Sequence, residues 1–338
     1  VIDLLVAGGG PAGLATALHG ARAGLEVVVI EPRSGAIDKA CGEGLMPHTV
    51  AQLERLGVEP TGRTLGGITY LDGRRSASAP FRSGTGRGVR RTVLHAALAE
   101  AANAAGVRVV HGEVADVTQD AESVHAAGFR ARYLAAADGL HSPIRRSTGL
   151  EIPSGGRRRW GLRRHVQTAP WTDHVEVHWG TDAEAYVTPV ADDCVGIAIL
   201  TSRRGGFDGH LGDFAALEAR VRGCAHGRDR AAGPLRQKVR ARTAGRVLLV
   251  GDAAGYVDAL TGEGLGIAFG AAELLVGCVA ADRPGDYDGQ WRRMSRRYRL
   301  LTAGLLQASA IGPMRSAIVP AAAAMPAVFA AVVNQLAE

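Results

Sequence analysis

Residues 2–31 read IDLLVAGGGPAGLATALHGARAGLEVVVIE, and the spacing of apolar residues changes twice within them. Ile2 to Ala7 is a short apolar run, Leu14 to Ala23 follows a helical period and closes at Gly24, and Leu25 to Ile30 is a second apolar run ending at Glu31. Between the first run and the helix lies Gly8-Gly9-Gly10-Pro11-Ala12-Gly13. A strand, a glycine turn, a helix and a strand in that order open an α/β fold. The spacing Gly8-x-Gly10-x-x-Gly13 suits a dinucleotide: the first glycine makes the turn, the second lets a pyrophosphate approach the backbone, and the third lets helix and strand pack. The helix N-terminus then faces the phosphates, and Glu31, eighteen residues after Gly13, is an acceptor for ribose hydroxyls.

Further along the chain, His48 to Leu56 reads as a helix stopped by Gly57, and Ile68 to Leu71 and Arg74 to Ala77 form a hairpin turning at Asp72-Gly73. Thr92 to Ala105 is an amphipathic helix ended by Gly106, followed by a strand at Val107 to Val110. Val114 to Val117, Ser123 to Ala126 and Phe129 to Leu134 alternate as a meander. His174 to Trp179, Ala185 to Val190 and Cys194 to Leu200 read as antiparallel sheet packed on one face. Arg246 to Val250 returns to a buried strand before Gly251-Asp252, and helices follow from Gly264 to Ala281 and from Trp291 to Ser309.

With 338 residues, about two domains are expected. Hydrophobic residues at 46% and charged ones at 21% exclude a disordered or fibrous chain. The net charge of +6 is almost entirely arginine, and Arg157, Arg158, Arg159, Arg163 and Arg164 form runs. No nucleic-acid partner is expected, because aromatic residues are only 5% and no reader motif accompanies the runs; anionic ligands such as a pyrophosphate suit the arginines better. Cys41, Cys194, Cys224 and Cys278 show no metal-type spacing, so no metal is expected. No basic segment precedes a long apolar one at the start, which makes the cytoplasm the expected setting. Ala317 to Val333 is uncharged but broken by Pro320 and Pro326, which argues against a spanning helix and leaves membrane-surface contact open.

Three stretches together carry a family resemblance. Asp3 to Arg33, Ala137 to Arg145 and Gly251-Asp252-Ala253-Ala254 resemble, in order, the three FAD signatures of the para-hydroxybenzoate hydroxylase-type flavoproteins, a superfamily of flavin monooxygenases, flavin halogenases and geranylgeranyl reductases. The resemblance implies an α/β chain with a Rossmann-like FAD-binding domain, an interleaved antiparallel-sheet substrate domain and a helical C-terminus. The expected boundaries are 1–64, 85–150 and 240–285 for the FAD domain, 65–84 and 151–239 for the sheet domain, and 286–338 for the C-terminal helices.

It also implies the FAD-contacting residues: Gly8, Gly10, Pro11, Ala12, Gly13, Glu31, Pro32 and Arg33 in the first stretch, Arg91 at a second helix, and Ala137, Asp138, Gly139 and Arg145 near the pyrophosphate. Gly251 and Asp252 reach the ribityl chain, and Gly262, Gly264 and Leu265 lie against the flavin ring, with Ala259 standing where the family usually has proline. Cys41-Gly42-Glu43-Gly44 and Tyr186-Val187-Thr188-Pro189 resemble segments of the geranylgeranyl reductases, which puts Cys41, Gly42 and Gly44 beside the flavin. Trp160 and Trp179 stand alone, which sets the halogenases aside.

The leading expectation is a monooxygenase that hydroxylates or epoxidises a small aromatic or polyketide-like metabolite, using NADH or NADPH as transient co-substrate and O2 through a flavin C4a-hydroperoxide. A flavin-dependent reductase of isoprenoid double bonds is the alternative, and a non-enzymatic flavin-binding protein the second. No motif fixes a catalytic residue; His48, His165, His178, Tyr186 and Cys41 are the candidates, the first four because they lie on segments expected to face the pocket.

Overall fold

The computed structural model describes residues 1–337. Strand β1 (Ile2–Ala7), helix α1 (Pro11–Arg22) and strand β2 (Val27–Glu31) form the opening unit. Strand β1 sits inside an eight-stranded sheet, parallel to β2 on one side and to Phe129–Ala136 on the other. Strands Arg108–His111 and Val247–Leu249 extend the parallel set outward. Every residue of β2 is buried, as expected of strands covered by helices on both faces. The core here joins Leu4, Val6, Leu14, Val29, Leu134 and Leu248 to Phe269 and Leu275 of the Gly264–Ala280 helix.

A second sheet of seven strands runs in the spatial order Arg230–Ala232, Trp160–Gln167, Cys194–Thr201, Ala183–Ala191, His174–Trp179, Gly67–Leu71, Ser76–Pro80. It is antiparallel except where His174–Trp179 meets Gly67–Leu71. The hairpin Gly67–Pro80 thus joins this sheet although its chain neighbours Arg63–Leu65 and Gly86–Gly88 pair with each other in a separate three-stranded sheet. Three helices end the chain: Asp286–Ala310, Gly312–Ala324 and Pro326–Ala337. The last two pack Ala322, Phe329 and Val333 onto Ala77 and Ala79 of the hairpin, and Val319 onto Val177 and Trp179.

Three sequence expectations need correction. Val114 to Asp116 are not strand; pairing begins at Val117, which stands opposite Ala126 on the antiparallel partner. The final long helix starts at Asp286, five residues before Trp291, with Asp286 and Asp288 in its first turn opposing the positive end of the helix dipole. Trp160–Gln167 is a central strand that the arginine-rich reading concealed. Its arginines are internal: Arg159 beside it pairs with Glu184, Arg163 with Asp38, and Arg164 with Asp208 and Asp229.

Candidate active site

Both sheets and the terminal helices converge on one cavity of about 480 Å³. At its first end the glycines of the turn divide the work. A Cβ on Gly8, whose φ is +106°, would lie 2.5 Å from the Ala137 carbonyl oxygen, and one on Gly13 would lie 1.9 Å from that of Gly8. Those two are required by the chain's own packing. Gly10 differs: its φ is −70°, nothing lies within 4 Å of its Cβ position, and it faces the cavity. Nothing in the protein demands glycine there, so the open space serves a ligand. No side chain caps α1, whose first N–H groups stay open.

Glu31 is buried and takes the Gly9 N–H at 2.7 Å and Arg33 Nε at 2.6 Å. Burial works to raise its pKa, but the bonds from Arg33 and Gly9 and the Arg33 charge outweigh it and hold the carboxyl low. Gly8, Gly13 and Glu31 therefore lie behind the wall, whereas Gly10, Pro11, Ala12 and Arg33 form it; Pro32 is exposed and off the wall.

Ala137, Asp138 and Gly139 line the cavity at the end of the Phe129–Ala136 strand. Asp138 takes the Ile144 N–H on Oδ2 at 3.1 Å, while Oδ1 is shielded from solvent without a partner. Burial pushes this carboxyl up, against the hydrogen bond of Ser142. Arg91 also lines the wall with a shielded, unpartnered Nε. Arg145 does not: only 1% exposed, it donates to Glu151, Gln237 and the carbonyls of Leu140 and Ala253. Its guanidinium is consumed in fastening loops together, which corrects the expectation that it faces the cofactor.

Gly251, Asp252, Gly262, Gly264 and Leu265 complete this end, and the Gly264–Ala280 helix starts there without a side-chain cap. The loop before it lacks the usual proline at Ala259 and is tied from outside instead. Tyr186 Oη donates to Leu260 O at 2.8 Å, Leu260 N donates to Asp258 at 3.1 Å, and Thr261 meets Thr302 at 2.9 Å. Two uncapped helix starts, a clearance glycine at Gly10 and the unpartnered Asp138 and Arg91 atoms fit FAD, with its pyrophosphate at α1 and its hydroxyls within reach of carboxylates.

Beyond the glycine turns the wall is apolar, with Ile68, Val177, Leu305, Ile318, Phe329 and Val333. Cys41, Gly42, Glu43 and Gly44 form the rim between the two regions. The rim is held by Thr188, which donates to Gly42 O at 2.8 Å, and by Glu43, whose N–H reaches Cys41 Sγ at 3.4 Å. Glu43 is itself buried, taking Arg91 N–H at 2.8 Å and standing 2.6 Å from His165 Nε2.

Of the five catalytic candidates, Tyr186 and Cys41 reach the wall and the three histidines do not. Strand alternation turns Val175 and Val177 inward and His178 outward, onto Glu176 at 3.1 Å. His165 lies behind Glu43, and His48 packs beneath the Gly264–Ala280 helix, 3.1 Å from the buried Glu263. The sequence reading missed Glu43, Tyr256 and the terminal helices as parts of the wall. The helices themselves are expected over 286–338; only the uncharged stretch after Arg315 hints that they form part of the wall.

With this geometry in place, comparisons with known proteins place the chain. A family model described as FAD binding domain matches residues 2–203. A menaquinone reductase of Mycobacterium tuberculosis is 30% identical over 81% of the chain and 76% of its own length. Digeranylgeranylglycerophospholipid reductase 1 of Methanothermobacter thermautotrophicus is 30% identical over 88% and 82%. A triple mutant of the flavin-dependent brominase Bmp2 matches at TM-score 0.85 and 16% identity over 100% of the chain and 94% of its own. The halogenase PltM in complex with phloroglucinol and FAD matches at 0.77 and 15% over 91% and 76%. The two structures share the fold.

Proposed function

We propose, from the premise that the chain belongs to the FAD-binding domain family and is an FAD-dependent oxidoreductase, that it saturates carbon–carbon double bonds of an isoprenoid lipid. The observation that carries this reading is the apolar part of the cavity wall, which beyond the glycine turns runs through Ile68, Val177, Leu305, Ile318, Phe329 and Val333 to the terminal helices, with no imidazole on it among the described residues. A polyisoprenoid chain offers only hydrocarbon surface, and burying it against such a wall gains about 25 cal/mol per Å². Ionising a phenol calls for a base at the wall; His48, His165 and His178 all face elsewhere, and Tyr186, which does reach it, has its hydroxyl engaged in donating to Leu260 O. The relatives named for menaquinone and digeranylgeranylglycerophospholipid, both isoprenoid lipids, support the same substrate class.

Bound FAD would supply the electron pair, taken from NADH or NADPH as transient co-substrate. Gly10, Pro11 and Ala12 would hold its pyrophosphate, Asp252 its ribityl hydroxyls, and the start of the Gly264–Ala280 helix the charge that accumulates on reduction. Saturation adds one hydrogen with the electron pair and a second as a proton. Cys41 is the thiol on the wall, and we assign that proton to its Sγ. Glu43 and Thr188 fix the loop that carries it. The apolar wall excludes water and lines the lipid up along the rim.

Mixing the anaerobically reduced holoprotein with geranylgeranyl lipids and with simple phenols tests this reading. Reoxidation of the flavin by the prenylated compounds alone is expected. Reoxidation only after oxygen is admitted with a phenol would favour a monooxygenase instead.

A further inference from the structure

Nine large apolar side chains are exposed among the described residues, and seven of them lie between positions 294 and 332. From Leu300 to Ala337 the sequence has a single charged residue, Arg315. That arginine is buried, donating to the carbonyls of Gly180 and Ala183 and pairing with Glu184, so the outer surface of this whole segment carries no charge. Leu300, Ile311 and Met314 are 65%, 46% and 50% exposed, and Met325, Val328 and Val332 are 52%, 55% and 40% exposed. Soluble surfaces seldom present uncharged apolar area on this scale without a partner.

The last three residues also line the cavity. They are wall and surface at once, so the apolar end of the cavity opens on this face. Just before it, Arg293, Arg296 and Arg297 are exposed and make no ion pair among the described residues. No single described helix is long and apolar enough to cross a bilayer, and the helices Gly312–Ala324 and Pro326–Ala337 bend by 105°.

We infer that this face docks on an anionic lipid bilayer, with Leu300, Met314 and the Met325–Val332 ridge in the acyl boundary and the arginines among the headgroups, so that the cavity mouth opens into the lipid. An uncharged helical face flanked by unpaired cations matches both layers of such a surface. A second copy of the chain fits less well, since it would seal the mouth, and a two-fold contact would bring arginine against arginine. Loading from the bilayer rests on the lipid reading of the cavity; the docking itself does not.

The test is sedimentation of the FAD-loaded protein with vesicles of equal phosphatidylglycerol and phosphatidylcholine, and with vesicles of phosphatidylcholine alone. Binding to the anionic vesicles at low salt, released by added salt, is expected. The variant Leu300→Glu with Met314→Glu should bind them at least tenfold more weakly while keeping its FAD affinity and its turnover of a short, water-soluble prenyl substrate. Arg293→Gln with Arg296→Gln and Arg297→Gln should lose most of the salt dependence. No binding to anionic vesicles, undiminished binding by both variants, or a concentration-dependent dimer abolished by the glutamates overturns the inference. Turnover of detergent-dispersed prenyl lipid without vesicle binding removes the docking alone; vesicle binding without turnover removes the lipid-reductase reading alone.

Discussion

Replacing Gly10 and Gly13 separately by alanine distinguishes a glycine kept for a ligand from one kept for packing. At Gly13 the new methyl would stand 1.9 Å from a backbone oxygen and 3.2 Å from the Ala137 Cβ, so α1 must shift against the sheet by more than an ångström. Overpacking of that kind costs about 1–3 kcal/mol or more. Gly13→Ala should therefore lower the stability of the apoprotein and its FAD affinity together. At Gly10 the backbone already has φ −70° and ψ 174°, which alanine adopts freely, and no atom lies within 4 Å of the added carbon. The lost chain entropy of glycine favours alanine by about 0.4–1 kcal/mol, and the weaker N-cap takes a few tenths back. Apoprotein stability should stay within about 1 kcal/mol of the parent. In the complex the same methyl enters the space kept for the pyrophosphate; about 1–3 kcal/mol of overpacking corresponds to a roughly 5- to 150-fold weaker FAD complex. Urea unfolding of both apoproteins and titration with FAD, followed by flavin fluorescence, separate the two effects. Unaltered FAD affinity in Gly10→Ala, or a loss of apoprotein stability equal to that of Gly13→Ala, would refute the assignment.

Cys41→Ala should slow double-bond saturation by roughly 100-fold, the low end of general-acid contributions, while the rate of flavin reduction by NADPH is unchanged; stopped-flow traces of the two half-reactions separate them. Tyr186→Phe removes the bond to Leu260 O and should cost about 0.5–1.5 kcal/mol in urea unfolding. Arg315→Met leaves Glu184 and the carbonyls of Gly180 and Ala183 short of a buried partner, at about 3–5 kcal/mol, and limited proteolysis should then cut first within residues 312–337. Burial pushes the Asp258 carboxyl from 3.8 up to about 6 against the opposing Arg159 charge, so the folded state holds an extra proton between those pH values and stability falls as pH rises through them. Asp258→Asn removes that slope, and its stability relative to the parent should rise by about 2–3 kcal/mol across the window, read from unfolding curves at a series of pH values.

Local rules made much of the fold legible. The turn after Ala7, the Asp72-Gly73 hairpin and the alternation of His174–Trp179 are each decided by a handful of neighbouring residues. That alternation also held the information that His178 faces away from the buried valines, and a stricter count of strand parity would have removed it from the candidates. Strand Trp160–Gln167 was hidden because its buried arginines pair with Asp38, Asp208 and Asp229, partners far away in sequence, so charge there did not mark a surface. The difference between Gly10 and Gly13 depends on what stands opposite each Cβ, and only the folded chain shows it. Glu43 was passed over for the same reason: its partner His165 is 122 residues away. Arg145 matched a motif by spacing, yet its guanidinium donates to the Glu151 carboxylate, the Gln237 amide oxygen and the carbonyls of Leu140 and Ala253, partners that no motif records.

The reductase reading is tested most directly by the mass of the lipid product. Holoprotein reduced chemically under strict anaerobiosis and given one equivalent of a geranylgeranyl lipid should return that lipid heavier by two hydrogens, with the flavin oxidised. Unchanged lipid under these conditions, together with a phenolic product heavier by one oxygen when air is admitted, would contradict it.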